Sequence, residues 1–415
     1  MSWSSLDNAA KMYASLPSTR VTTLFRVSSA LNFHVDKNIL QKALNSTLER
    51  FPYFNVSLKT GLFWSYFDKS NEKLLVEEEK FYPCMNLNVK KHHFPFRVLY
   101  FNNRISLEFT HALTDGTGAM IFLQYLLQEY LKIKNLIHKD VLTYINDTPT
   151  KGEFEDSYKK NFDRKIPTKR VKVKAFHFPF KLSEKGVYHI VTGILPVKDL
   201  LIKSKEFNCS LTELLCALFI DSIIELIDKN GYKKKPIALN IPINLRSKFS
   251  SKTMNNFFIS LTPTIDPRLG DYTLEEIVEY IHNYMNLNNN TKVLKQLLCK
   301  NVRSGNNIFL RIIPSFIKDL IMPFVHSSFG EANYTSGFSN MGLVRLPIEM
   351  EQHIERFDVY PPPSRGNKIK VTAISYKDNI HITFGKMTYR KDLEEIFFSK
   401  IRKMNIPIKI ETNYV

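Results

Sequence analysis

Apolar positions recur along the chain with two periods, and the places where the period changes mark its elements. "RVTTLFRVSSAL" and "FRVLYFNNRISLEFTH" carry the alternation expected of strands. The second breaks at Asn102-Asn103, a pair suited to a tight turn, so it is predicted to be two strands of a hairpin. In the strand that leads to Thr110, Ile105, Leu107 and Phe109 share one face, and Ser106, Glu108 and Thr110 share the other. "DKNILQKALNSTLERF" repeats at helical spacing instead. Ile39, Leu40, Ala43, Leu44 and Leu48 fall on one side, and Asp36 is placed to cap the first turn. "SLDNAAKMYASL" reads as a helix with Ser5 as its N-cap, and "FNVSLKTGLFWSYFDK" as a hairpin turning at Thr60-Gly61.

From Thr143 to about Lys185 the periodicity fades among charges and prolines, as in a crossover between two units. Regular patterns return with a strand at "YHIVTGILP" and helices at "VKDLLIKSKEF" and "SLTELLCALFIDSIIELIDK". Ser210 and Glu213 form a capping box at the start of the second helix. Strands follow at "KPIALNIPINL" and "NNFFISLTPTI", then a helical region from Leu274 to about Cys299. A hairpin is predicted around Asp378-Asn379, and a last helix from Lys391. Strands and helices in this mixed order predict an α/β chain of the α+β, mixed-sheet kind. Its expected units are residues 1–165, a crossover at 166–186, and residues 187–415.

Composition narrows the picture. The chain has 415 residues, of which 44% are hydrophobic, enough for a sizeable core and against disorder. No apolar run reaches the ~18–20 residues of a membrane span, and the N-terminus lacks a signal-peptide pattern. Cys84, Cys209, Cys216 and Cys299 form no CxxC pair and no zinc spacing, so buried reduced thiols, a cytoplasmic location and no metal are expected. The net charge of +18 favours anionic partners. Yet the densest basic run, "KKNFDRKIPTKRVKVK" at 159–174, has no zinc-finger or RRM signature beside it. It reads as a solvated linker, and nucleic acid is not an expected partner. Trp64 and "FPYF" at 51–54 read as core rather than substrate wall.

The candidate chemistry lies in "ISLEFTHALTDGTGAMIFLQYLLQEYL", where a strand breaks into an apolar helix through His111 and Asp115. Two readings stay open from these residues. His111 can be a satisfied histidine at a strand end with Asp115 capping the helix. Or the ring can project from a rigid strand into a cleft, where its pKa suits proton transfer and Gly116 and Gly118 let another group approach. No GxSxG elbow, P-loop or GxGxxG is present, which leaves direct transfer between bound reactants, assisted by one base.

"HALTDG" resembles the HxxxDG signature of the chloramphenicol acetyltransferase-like superfamily, which includes alcohol acetyltransferases and condensation domains of nonribosomal peptide synthesis. "LDNAAKMYASL" with "FRVSSALNFHVDKNILQKALNSTLERFPYFNVSLKTGLFWSYF" is similar to the N-terminal part of bacterial alcohol acetyltransferase-like proteins. "IPINLRSKFSSKTMNNFF" looks like the superfamily's NxR segment, and "SGFSNMG" like its Ser-Asn-x-Gly segment. The resemblance spans about residues 5 to 390. A single histidine before Ala-Leu and the absence of a DFGWG segment favour the alcohol acetyltransferase-like or stand-alone condensation-like branch.

The resemblance implies two similar halves enclosing a central channel, with a thioester donor and an acceptor entering from opposite ends. It implies His111 as general base, Asp115 as a structural anion and Arg246 as its partner, with Ser339 and Asn340 stabilising the oxyanion or holding the acceptor. For Arg246 a surface role, and for Ser339-Asn340 ordinary turn chemistry, remain open. The implied reaction passes an acyl group from acyl-CoA or an acyl-carrier protein to an alcohol or amine. It needs no permanently bound cofactor, and the surplus positive charge suits coenzyme A phosphates or an acidic carrier. One chain can enclose such a channel, so a monomer is expected. The alternative is a non-catalytic or carrier-docking binding protein of the same fold.

Overall fold

Two main sheets, each backed by helices, build two lobes. The computed structural model describes residues 3–14, 23–85, 87, 94–168, 173–305, 313–315, 317–318, 321 and 331–414. Parts of the readings above, including residues 15–22 and 169–172, lie outside these described residues.

The first sheet runs Ile354–Tyr360, Leu24–Leu31, Arg104–Thr110, Phe96–Phe101, Val76–Glu78. Its pairings are antiparallel except the last. Phe25, Val27, Leu107 and Phe109 pack against apolar side chains of helices Lys37–Arg50 and Gly116–Ile133. Those helices form where the sequence pattern places them. Asp36 accepts hydrogen bonds from Asn38 N at 2.7 Å and Ile39 N at 3.1 Å, and Leu40, Ala43, Leu44 and Leu48 are buried. Phe51 and Phe54 join the same core, whereas Trp64 lies partly exposed under the Lys318 ammonium, 3.4 Å from its ring centroid. The sheet's opposite face carries Arg26, Arg97 and Glu108, ion-paired at 2.6 Å, and Arg26 lines a cavity shared with Ile190 and Thr192 of the second lobe.

The second sheet has eight strands. Its path is Phe258–Leu261, Ile237–Asn244, Ser336–Val344, Ile369–Tyr376, Asn379–Lys386, His189–Pro196, Lys409–Thr412, with Thr264–Ile265 pairing beside Ile237–Asn244. Its core packs against Leu211–Lys229 and Asp392–Lys403. The capping box forms, with Ser210 N donating to Glu213 Oε2 at 2.7 Å and Glu213 N to Ser210 Oγ at 3.3 Å.

Several local readings shift. Ser5 ends a short strand, Trp3–Ser5, and Asp7 caps the first helix, Asn8–Ala14, accepting from Ala10 N at 2.7 Å. The helical region after Leu274 divides into Leu274–Asn288 and Thr291–Gly305, because Asn290 caps a fresh start by accepting from Val293 N at 3.1 Å. The last hairpin turns at Lys377-Asp378, since Tyr376 pairs with Asn379 and Lys377 takes a left-handed φ of 51°. Ile354–Tyr360, from late in the chain, completes the first sheet by pairing with Leu24–Leu31. The part of the basic run at 159–168 packs along Thr291–Gly305, with Arg303 donating to the carbonyls of Arg164 and Ile166.

Candidate functional site

The strand Arg104–Thr110 ends one residue before His111, and the helix Gly116–Ile133 begins one residue after Asp115. The intervening turn is held from both sides. Thr114 Oγ1 donates to the Met254 carbonyl at 2.5 Å, and Asn256 Nδ2 donates to the His111 carbonyl at 2.9 Å. Asn256 also donates to Asp7 Oδ2 through its backbone and its amide, at 3.2 and 3.0 Å. Gly118 fits here because a Cβ at that position would lie 2.2 Å from Thr114 Oγ1 and 2.5 Å from the Met254 carbonyl. The segment 253–257 of the second lobe thus rests directly on the start of this helix.

Asp115 combines two of the roles left open by the sequence. Its Oδ1 caps the helix, accepting from Thr117 N and Gly118 N, both at 3.1 Å. Both carboxylate oxygens also meet Arg246 in a bidentate pair, each at 2.9 Å, and Oδ2 takes a further bond from Phe257 N at 2.9 Å. Arg246 is fixed in turn by the Thr253 and Asn255 carbonyls, each at 2.8 Å. Asp115 is buried and Arg246 half-buried in this pair, which is turned to the lobe junction and hydrogen-bonded on both sides.

His111 points elsewhere. Its ring lies between Phe25, with centroids 4.4 Å apart, and Tyr13, at 4.9 Å. It borders a cavity of about 290 Å³ whose walls come from both lobes. Nδ1 is buried without a hydrogen-bond partner, as is Oδ1 of Asn256. Burial pushes the His111 pKa down to about 4, against the opposing pull of the Asp115 charge and the Asn256 side chain, while the Lys370 charge pushes it further down. The ring is therefore neutral at pH 7. An NMR titration of the imidazole is expected to show a midpoint near pH 4, and a midpoint between 6 and 7 would contradict this environment. The sign for stability follows. Between about 4 and 6.5 the unfolded histidine binds the proton and the folded one does not, so its contribution is full above 6.5 and is lost as pH falls toward 4.

The same cavity brings in Ser339 and Asn340. They lie in the strand Ser336–Val344, in parallel register with Thr372 and Ala373, just before an irregularity between Asn340 and Leu343. Ser339 makes no hydrogen bond through its hydroxyl to a described residue. The Asn340 amide is engaged within the protein, with Nδ2 donating to Thr212 Oγ1 at 2.9 Å and Oδ1 accepting from Gly342 N at 2.9 Å. Gly342 takes φ 77°, so the turn chemistry foreseen for this segment is present as a bulge inside a strand.

Sequence reasoning did not single out Asn256, Tyr13, Phe25 or Lys370. Asn256 had a local signal, since it sits in the segment that follows Arg246. Lys370 had none, because a lysine alternating with Ile369 and Val371 reads as an ordinary solvent-facing strand position.

No protein-family model matches the chain, and no curated protein matches it by sequence. Solved structures do match in fold. Polyketide synthase associated protein 5 from Mycobacterium tuberculosis superposes with TM-score 0.65 at 14% identity, over 95% of this chain and 96% of that one. The TRI3 trichothecene 15-O-acetyltransferase from Fusarium sporotrichioides gives 0.63 at 10% identity, over 97% and 94%. TRI101 from F. sporotrichioides, complexed with coenzyme A and T-2, gives 0.62 at 10% identity, over 98% of each chain. The chain thus has the two-lobed fold of chloramphenicol acetyltransferase-like acyltransferases and condensation domains.

Proposed function

We propose that the protein is an acyltransferase that moves an acyl group from a thioester to a hydroxyl or amine, with His111 as general base. The observation that carries this reading is the division of labour at the strand-to-helix turn. Asp115 is turned away into a bidentate pair with Arg246, while His111 borders a cavity walled by both lobes. A purely structural histidine has no need of a cavity, and a neutral imidazole has the lone pair a base requires.

In this reading Nδ1 carries the proton on the side of Asn256, and Nε2 presents its lone pair to the cavity. The acceptor X–H gives its proton to Nε2 as its oxygen or nitrogen bonds to the thioester carbonyl carbon. The oxyanion of the tetrahedral intermediate needs a preorganised donor, and the unengaged Ser339 hydroxyl is better placed for this than the committed Asn340 amide. The intermediate collapses with cleavage of the C–S bond, and His111 returns the proton to the departing thiolate. No covalent acyl-enzyme forms and the cysteines take no part. The fold neighbours support the class of chemistry: TRI3 is a 15-O-acetyltransferase, and TRI101 was crystallised with coenzyme A. For this chain the donor is proposed to be acyl-CoA or an acyl-carrier protein, and the acceptor a small alcohol or amine.

The test is thiol release from a panel of acyl-CoA and acyl-carrier donors, each with alcohols and amines. Release that depends on the acceptor, above slow hydrolysis, is expected. No acceptor-dependent release from any donor class would refute the reading.

A further inference from the structure

We propose that Lys370 is a recognition site for a carboxylate on one of the reactants, so that the substrate pair includes an acidic member whose charged group lies close to the reacting atoms. The inference rests on the acyl-transfer reading for which reactants enter the cavity. Its geometric basis is separate.

Lys370 stands on the strand Ile369–Tyr376, where Ile369 and Val371 belong to the second-lobe core and Lys370, Thr372 and part of Val371 line the cavity. Thr372 is satisfied, its hydroxyl donating to the Val359 carbonyl at 2.5 Å. Lys370 makes no hydrogen bond or ion pair to a described residue. Space is left beside it. In the parallel register Phe338 pairs with Val371, which sets Gly337 beside Lys370, and a Cβ on Gly337 would find only the Asn240 carbonyl, at 3.7 Å. On the other side Gly385 pairs with Lys370, but there the room is filled by Tyr188 and Pro361.

The cavity lining offers it no free counter-ion. Among the lining residues Lys370 is the only lysine or arginine, and Asp115, the only carboxylate, is taken by Arg246. Glu331, outside the lining, favours the Lys370 charge electrostatically, but its oxygens point to Ser364 Oγ and Gly366 N rather than forming an ion pair with Lys370. Burial accordingly pulls the Lys370 pKa below its ordinary value. A cation lining a cavity with no ion pair in contact is costly unless a ligand brings the opposite charge. Ligand cavities place a few polar groups in this way to fix orientation.

The position limits the anion. Lys370 borders the same cavity as His111, and its charge acts on the imidazole. The diphosphate of coenzyme A lies a full pantetheine arm from its sulfur, too far to serve while the thioester is at His111. Two sources remain for one chemistry: a carboxylate on the acceptor, or the free carboxylate of a dicarboxylic acyl group. Either would neutralise Lys370 and so relieve its depression of the His111 pKa.

The experiment uses matched pairs with the 415-residue chain. On the acceptor side, hydroxy acids are compared with their methyl esters; on the donor side, succinyl-CoA is compared with butyryl-CoA. In one arm the acidic member is expected to be preferred about tenfold to a hundredfold in kcat/KM, the range of a charge-assisted hydrogen bond. The preference should collapse toward one in Lys370→Met and persist in Lys370→Arg. Which arm shows it identifies the source. Equal use of both members in both arms, or a preference that survives in Lys370→Met, overturns the proposal. If no pair gives thiol release, acyl transfer with these reactants fails without bearing on Lys370. Calorimetric binding of the same acids, esters and acyl-CoAs then decides on Lys370: acid-selective binding lost in Lys370→Met upholds the site, and no selectivity removes it.

Discussion

His111→Ala is expected to keep the fold and to lower acyl-transfer turnover by ~10²–10⁴-fold, the usual cost of losing a general base. The ring packs between Phe25 and Tyr13, and its Nδ1 has no hydrogen-bond partner among the described residues. The turn itself is held through backbone groups, including the His111 carbonyl bonded by Asn256, and these survive the substitution. The far-UV spectrum and a cooperative melt should therefore resemble those of the parent, with some stability lost to the vacated space. The same substitution should also remove the component of acid sensitivity that His111 contributes between pH 6.5 and 4. Near-normal turnover in a folded His111→Ala protein would sink the general-base assignment. It would leave the cavity, and the Lys370 site within it, to be explained by binding alone.

The second large effect belongs to the pair behind the turn. Asp115→Asn and Arg246→Ala are each expected to cost up to ~3–5 kcal/mol of stability, because the first strands the half-buried Arg246 charge and the second the buried Asp115 charge. Asp115→Asn also weakens the helix cap and the bond from Phe257 N, so it should be the worse of the two. Arg246→Ala frees the Thr253 and Asn255 carbonyls and loosens the segment that carries Asn256. Activity should fall with both, through the placement of His111 rather than through its chemistry. The double variant should lose clearly less than the sum of the singles, since the charge stranded by one change is removed by the other. Denaturant melts of the four proteins in the cycle measure this, and losses that simply add would show that the pair carries no coupling.

Much of this was written in local pattern. The Asp36 cap, the Ser210–Glu213 capping box, the hairpin at Asn102-Asn103 and the helix after Asp115 depend on residues a few positions apart, and each forms as the sequence indicates. The misreadings were local too. Ser5 was read as the first helix's cap, but Trp3–Ser5 pairs with Ser65–Lys69 as a strand and Asp7 takes the cap instead. Ser-Asn-Met-Gly had the composition of a turn, but its neighbours Ile237–Asn244 and Ile369–Tyr376 draw it into a strand and confine the turn to a bulge.

By itself the sequence determined which residues are apolar on which face, where helices start, and that a histidine and an aspartate stand together at one strand end. It could not set distances between residues far apart in the chain. Arg246 reaches Asp115 across 131 positions, and Asn256 reaches the His111 carbonyl across 145. Nothing local in "IERFDVY" marks it as the strand that completes the first sheet, because that pairing is with residues 24–31. Lys370 shows the limit most clearly. Alternation tells that it leaves the core face of its strand, but whether that other face meets water or a second lobe depends on how the lobes pack. Pairing along a strand is a matter of neighbouring residues, whereas solvation is a property of everything that surrounds a group. The burial that lowers the His111 and Lys370 pKa values, and sets both against one cavity, therefore exists only in the assembled tertiary structure.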